Sequence, residues 1–388
     1  MTERLRLLFV VGSLDPGGAE RQTLALVQGL GNRGHHCELI SIKTASGSIG
    51  RHGSAVLSGG RAYGIGARRF LDLRATGELK RRIIAARPNV VVAVNPYALM
   101  YATFARMLSG HRCRIVVNFH STQLLGLKEA LQMAAYRPLF WAASCTVFVC
   151  RTQRSYWRRR ALASRHCAVI YNGIDTVSYR MADSAACGPV RRRDLGIHPD
   201  DYVIGISAWL RPEKNHVQLV EAVAALRDHG VAVQLVVIGD GEMRSAVESR
   251  ARSHGLLDRV HITGAVEDVR PYVAMCDVIA LCSVAVETFS LAALEAMAME
   301  KPVVHAALGG SAEMIVPGEN GFLFPVRDTQ ALVDKLLLLT DRSMRERMGK
   351  NARRVVDECF SDKKMVRAYD ELLSKLACEN RRLPNTVP

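Results

Sequence analysis

The chain has 388 residues, 49% of them hydrophobic, and a formal net charge of +15. That length is more than one core usually serves, so two domains are expected, and the basic balance suits a nucleic acid, an anionic membrane or a phosphorylated ligand, or simply a surface that uses Arg as its solvated residue. The ten cysteines form no C-x-x-C pair and no Cys/His cluster at zinc spacing, which excludes a zinc module and reads as reduced, small hydrophobic residues in a cytosol.

The start, MTERLRLLFVVG, is charged and then a short strand, not a signal peptide. Leu5 to Val11 is an apolar run ending in Gly12, the pattern of a buried parallel strand. Asp15-Pro16-Gly17-Gly18 makes a turn, and Ala19 to Leu30 carries helical periodicity. His36 to Ile42, Val90 to Val94, Arg114 to Asn118, Thr146 to Val149 and Ala168 to Tyr171 read as further strands between helical stretches. The most apolar stretch, Val90 to Ala105, is broken by Asn95-Pro96 and is no membrane span. Arg151 to His166 holds six arginines with Tyr156 and Trp157 among them. Cations interleaved with aromatics suit a membrane interface, an acidic partner or a solvated basic helix. Nothing resembling an RRM, KH or helix-turn-helix pattern accompanies them, so no nucleic acid partner is expected.

Asn172-Gly173-Ile174-Asp175 is a turn, and the poorly periodic stretch from there to the Arg191-Arg192-Arg193 run reads as an interdomain linker. A second alternation follows. Strands are expected at Tyr202 to Ala208, Gln234 to Ile238, Val260 to Thr263, Val278 to Leu281, Pro302 to His305 and Gly321 to Phe324. Helices are expected at Val217 to Asp228, Glu242 to His254, from Leu291, and at Ala331 to Leu339, Met344 to Cys359 and Ser361 to Ala377. This alternation predicts an α/β fold of two Rossmann-like domains, 1–178 and 179–360, with 361–388 returning to the first. Open α/β sheets bind ligands beyond their strand C-termini, so the cleft between the halves is the expected site.

Glu287 and Glu295 lie eight residues apart around a helix start. Ser290 can cap, and Leu291 to Met299 is a run of strong helix formers. The free N–H groups of such a helix start suit a phosphate, and the two carboxylates can accept bonds from hydroxyls. Phosphate beside hydroxyls describes a nucleotide sugar.

That pattern resembles the E-x7-E motif of glycosyltransferase family 4, retaining enzymes with the GT-B fold. Other segments are similar to the same family over roughly 300 residues: Gly17-Gly18-Ala19-Glu20-Arg21, Asn172 to Asp175, SAWLRPEKNH at 207–216, Ile238 to Glu242, and GGSAEMIVPGENGFLFPVRD at 309–328. The resemblance implies that Glu287 contacts the donor sugar and Glu295 the ribose. The backbone of Phe289, Ser290 and Leu291 would meet the phosphates, and Gly309-Gly310 would lie against the donor. Lys214 would neutralise the diphosphate. Trp209 stands where the family has Arg, so Arg211 is the candidate for the second cation. Gly17 and Gly18 would approach an anion or the acceptor, and His120, in VVNFHST, would face the transferred sugar. Glu300 stands where the family usually has Gly, a difference that bears on the helix cap.

The implied activity is transfer of a sugar from a nucleoside diphosphate sugar to a hydroxyl with retention, as a hexosyltransferase of cell-surface polysaccharide synthesis. The acceptor would be a glycan or lipid-linked glycan. The resemblance implies no cofactor or metal, and the sequence fits that, since Lys214, Arg211 and the helix start can balance the diphosphate instead. Cytoplasmic placement is expected, with docking on the inner membrane face through Arg151 to His166. Acceptor contacts are expected in the loops Thr44 to Gly66 and Gln123 to Lys128. Three rivals stand: a GT-B sugar-nucleotide epimerase, a nicotinamide oxidoreductase, disfavoured because no G-x-G-x-x-G fingerprint is present, and a degenerate binding or scaffold member.

Overall fold

A computed structural model describes residues 4–15, 17–44, 61–121, 124, 126–181 and 187–381. The chain divides into two compact units, Met1–Asn172 with Asp362–Pro388, and Gly173–Ser361. Each is built on one parallel sheet.

The first unit has strands β1 (Arg6–Val11), β2 (His36–Ser41), β3 (Arg61–Gly64), β4 (Val90–Val94), β5 (Arg114–Phe119), β6 (Cys145–Phe148) and β7 (Cys167–Val169). Their order is β3-β2-β1-β4-β5-β6-β7, all neighbours parallel. The central strands are apolar because helices cover both faces; every residue of β4 is buried. β3, with the sequence RAYG, gave no hydrophobic signal, since it only pairs with β2 at the sheet edge.

Helix Asp362–Arg381 packs on this unit. Val366, Tyr369, Leu373 and Leu376 join the core that holds Leu26, Val27 and Leu30 of helix Gly18–Asn32. Asp370 fixes its register: its carboxylate accepts from Arg33 Nε at 2.5 Å and from His35 Nε2 at 2.9 Å. His35 Nδ1 accepts from the Leu5 amide at 3.1 Å, so the ring proton is on Nε2 and points at Asp370. Burial alone would raise the Asp370 pKa, but the bonds from Arg33 and His35 hold it below its usual value.

Arg151–Arg158 is a helix, but its aromatic residues do not form an outward face. Trp157 is in the core against Phe119, and its indole N–H donates to the Ser121 carbonyl at 2.9 Å. Tyr156 Oη accepts from the Leu124 amide and its ring carries Arg160. Trp157, one of the two aromatics interleaved with the arginines of Arg151 to His166, is therefore a packing residue. Among the described residues no helix is long and apolar enough to cross a membrane.

The second unit has β8 (Tyr202–Ser207), β9 (Val233–Ile238), β10 (Val260–Ile262), β11 (Val278–Leu281), β12 (Val303–Ala306) and β13 (Gly321–Phe324). The order is β10-β9-β8-β11-β12-β13, again parallel. The boundary expected after residue 178 falls inside this unit, because Arg353 donates to the carbonyls of Thr176 and Tyr179 and stitches that segment to it. The arginine run is not a linker either. It belongs to helix Cys187–Asp194, and Arg192 bonds the Met275, Pro199 and Asp201 carbonyls and the Asp277 carboxylate.

Among the described residues these cysteines form no disulfide: Cys37, Cys113, Cys145, Cys150, Cys276 and Cys282 are buried, Cys167 is half-buried, and Cys359 and Cys378 are exposed.

Candidate active site

The strand order of the second sheet reverses between β8 and β11, and the loops leaving their C-terminal ends flank that switch point. The loop after β8 carries Trp209, Arg211 and Lys214, and the loop after β11 carries Ser283 and Glu287. The two meet. Lys214 Nζ donates to Glu287 Oε2 at 2.6 Å, Ser283 Oγ donates to the same oxygen at 2.9 Å, and the Val284 amide donates to the Glu213 carbonyl at 2.8 Å.

Glu287 is buried, with 11% of its side chain exposed. Burial pushes its carboxyl upward, but Lys214, the His305 ring and the bonds from Lys214 and Ser283 outweigh that, and its pKa lies below the ordinary value. It is ionised at neutral pH. Val286, just before it, has φ +53, a conformation that a β-branched residue adopts only under constraint.

The Lys214 turn is itself held from β9. The Leu210 amide donates to the Asp240 carbonyl, and the Met243 amide to that of Leu210. Gly239 and Gly241, at φ +146 and +154, lie so close to the Ala208 and Leu210 backbone that a Cβ would collide. The G-D-G turn thus serves close packing under the cation loop. Arg211 is exposed, and Trp209, in the position where the family has Arg, is 48% exposed.

Helix Leu291–Ala298 begins at the same edge. Ser290 Oγ accepts from the Ala293 amide at 3.3 Å, the expected cap. Phe289, just before the Ser290 cap, is buried edge-on against Phe360. Glu295 is buried a turn and a half into the helix, and its Oε1 accepts from the Tyr179 hydroxyl at 3.2 Å. Gly309 has φ +61, and a Cβ there would strike the Glu287 carbonyl; the Gly310 amide donates to the Thr288 carbonyl at 2.8 Å. The glycine pair therefore holds the β12 loop against the Glu287 loop.

In the first unit the switch point lies between β1 and β4. Gly17 and Gly18 open helix Gly18–Asn32 after β1, and the Gly17 carbonyl accepts from the Arg21 amide at 3.0 Å. His120 follows β5 directly, and its amide donates to Asn95 Oδ1 at 2.9 Å. Burial pushes its imidazole down to about 4, so it is neutral at pH 7. Pro16, Gln123 and most of the Thr44 to Gly66 loop lie outside the described residues.

Ser283, Tyr179 and His305 were not singled out from sequence. His305 is the penultimate residue of β12, fully buried, with Nδ1 2.6 Å from the Ala306 carbonyl and Nε2 without a hydrogen-bond partner among the described residues. Burial, countered by Glu287, lowers its pKa. No spacing marks these residues, because their meeting with the motif depends on sheet order.

Comparison with known proteins agrees with this architecture. The Glycosyltransferase Family 4 model matches residues 16–178, and the Glycosyl transferases group 1 model matches 189–355. The chain is 27% identical over 295 residues to the N-acetyl-alpha-D-glucosaminyl L-malate synthase of Bacillus anthracis, covering 74% of this chain and 76% of that one. It is 26% identical over 367 residues to the phosphatidyl-myo-inositol mannosyltransferase of Mycobacterium leprae, covering 92% and 93%. Anabaena Alr3699/HepE, solved in complex with UDP, matches with a TM-score of 0.83 at 21% identity, over 96% of this chain and 100% of that one. The chain belongs to glycosyltransferase family 4 and has the GT-B fold.

Proposed function

We propose that this glycosyltransferase moves a hexose from a nucleoside diphosphate sugar to a hydroxyl of a glycan or lipid-linked glycan, with retention, in cell-surface polysaccharide synthesis. The observation that carries this is the Lys214–Glu287 pair at the switch point, beside a capped helix start. One cation beside the N–H groups of a helix start suits a diphosphate, and an ionised buried carboxylate suits sugar hydroxyls. The UDP bound by Anabaena HepE and the lipid acceptor in the name of the mycobacterial relative support the donor and acceptor classes.

In this assignment Lys214 leaves Glu287 for the diphosphate, Arg211 adds a second cation, and the amides of Phe289, Ser290 and Leu291 receive phosphate oxygens. Glu287 accepts from the donor sugar, held by Gly309 and Gly310, and Glu295 from the ribose. Neutral His120 serves the transferred sugar as a hydrogen-bonding group rather than a cation. Gly17 and Gly18 give backbone access for the acceptor. The bond from the anomeric carbon to the diphosphate oxygen breaks, and a bond to the acceptor oxygen forms on the same face. The acceptor proton goes to the departing phosphate. The fixed cations stabilise the charge that develops there, and the scheme calls for no metal.

The test is thermal unfolding with UDP, GDP, ADP and CMP, with and without their common sugars. A ligand at ~100 times its dissociation constant stabilises by about 2.7 kcal/mol, a shift of a few degrees. One nucleotide should shift the midpoint, and its sugar should then be transferred with the anomeric configuration kept, as read by NMR. No shift with any nucleotide would sink the donor assignment, and an inverted product would sink the retaining one.

A further inference from the structure

Tyr179 lies in the stretch that the sequence marks only as a linker, yet its main chain is built to present it. Asp175 Oδ1 accepts from the amides of Val177 and Ser178 at 2.9 and 3.1 Å, and its Oδ2 accepts from the Ser178 hydroxyl at 2.6 Å. The Tyr179 amide donates to the Asp175 carbonyl at 3.1 Å. Two arginines hold the outside. Arg353 donates to the Thr176 and Tyr179 carbonyls, each at 2.7 Å, and also to that of Ala298 at the end of the motif helix. Arg270 donates to the Ser178 carbonyl at 3.1 Å. A main chain fixed at four successive residues delivers one phenol, and its hydroxyl donates to Glu295 at 3.2 Å.

We infer that Tyr179 is a positioning residue for nucleotide binding, its hydroxyl holding the Glu295 carboxylate in the orientation that receives the ribose hydroxyls. This rests on Glu295 meeting the ribose, as proposed above. A buried carboxylate on a helix samples several rotamers, and each hydrogen bond that selects one lowers the ordering cost on binding. A carboxylate offers several acceptor positions, so a bond from Tyr179 does not by itself exclude a vicinal diol. Tyr179 itself never touches the ligand in this arrangement. Its effect should appear only through groups that Glu295 contacts.

Calorimetric titration tests this, with UDP, GDP and ADP and the 2′,3′-dideoxy form of each. Tyr179→Phe should weaken the ribonucleotide that wild type binds by about tenfold, and its dideoxy form by less than about twofold. Tyr179→Phe added to Glu295→Gln should change neither. A general packing defect would weaken both forms alike, or lower the melting midpoint, and that result overturns the inference, as does no change in either form. If wild type binds ribonucleotide and dideoxynucleotide equally, the ribose role of Glu295 fails and this inference with it. If wild type binds none of the three, the donor assignment itself fails.

Discussion

The Lys214 ammonium and the Glu287 carboxylate meet at 2.6 Å across the loops that leave β8 and β11. With Lys214 partly exposed and Glu287 buried, the pair leaves one end accessible to an incoming anion. Glu287→Gln keeps the shape and removes the charge. Turnover should fall at least ~100-fold, in line with the loss of one preorganised electrostatic contact, with the fold retained by circular dichroism. Near-normal transfer would remove Glu287 from the reaction. Lys214→Ala leaves the carboxylate without its cation and should cost on the order of 1–3 kcal/mol at neutral pH, discounted for the exposure of the lysine. Because the pair lowers the Glu287 pKa, its contribution is present above the ordinary value of 4.5 and is lost as pH falls through the lowered one. The gap between wild type and Lys214→Ala in urea unfolding should therefore close on acidification below about pH 4.5.

Glu300 ends the motif helix at φ +58, with its amide bonded to the Met297 carbonyl and the next amide to that of Ala296. This left-handed cap suits glycine, and a side chain there costs about 1 kcal/mol. Glu300→Gly should raise unfolding stability by about 0.5–1 kcal/mol in urea and leave nucleotide affinity unchanged. A destabilised variant would show that the glutamate contributes more than its backbone costs.

Most strands were legible because a parallel sheet covered on both faces demands short apolar runs, and Val90–Val94 and Val278–Leu281 carry little else. The Ser290 cap and the Glu287/Glu295 spacing were legible for a local reason: a helix start specifies its own residues. What the sequence hid is tertiary. β3 gains its place by pairing and not by hydrophobicity. Trp157 looked like an outward aromatic because the helix around it is basic, but its own position faces the core. Tyr179 and Glu295 are 116 residues apart, and only the fold joins them.

His216 opens the helix that follows Lys214 and is buried. Burial first, then the Lys214 charge, push its imidazole down to about 4 from 6.5. Between those values the unfolded chain takes up a proton that the folded chain refuses, so stability drops as pH falls through that window. The loss approaches on the order of 3 kcal/mol by pH 4. His216→Asn should flatten the acid limb of a urea stability profile between pH 6.5 and 4. An unchanged slope would mean that His216 is reached by water and titrates normally.

Arg353 binds three main-chain carbonyls at once, those of Thr176, Tyr179 and Ala298, and also pairs with Asp357. The first two belong to the segment that follows the unit boundary, and the third ends the motif helix, so one guanidinium ties both elements to helix Arg342–Cys359. Its planar fork is what allows this; an ammonium is a point donor and cannot span the three acceptors. Arg353→Ala should cost on the order of 2–4 kcal/mol, since bonds from a charged donor are the stronger kind and the Ala298 carbonyl is left facing the protein. Arg353→Lys should recover little of it. Hydrogen exchange locates the effect: amides of 174–181 should exchange faster in both variants, while those of β4 and β5 in the first unit stay protected. If exchange in 174–181 did not change, the segment would be held without Arg353, by contacts such as those of Asp175, Arg270 and the Ile174 amide with the Phe360 carbonyl, and the anchoring of Tyr179 would have to be assigned to them.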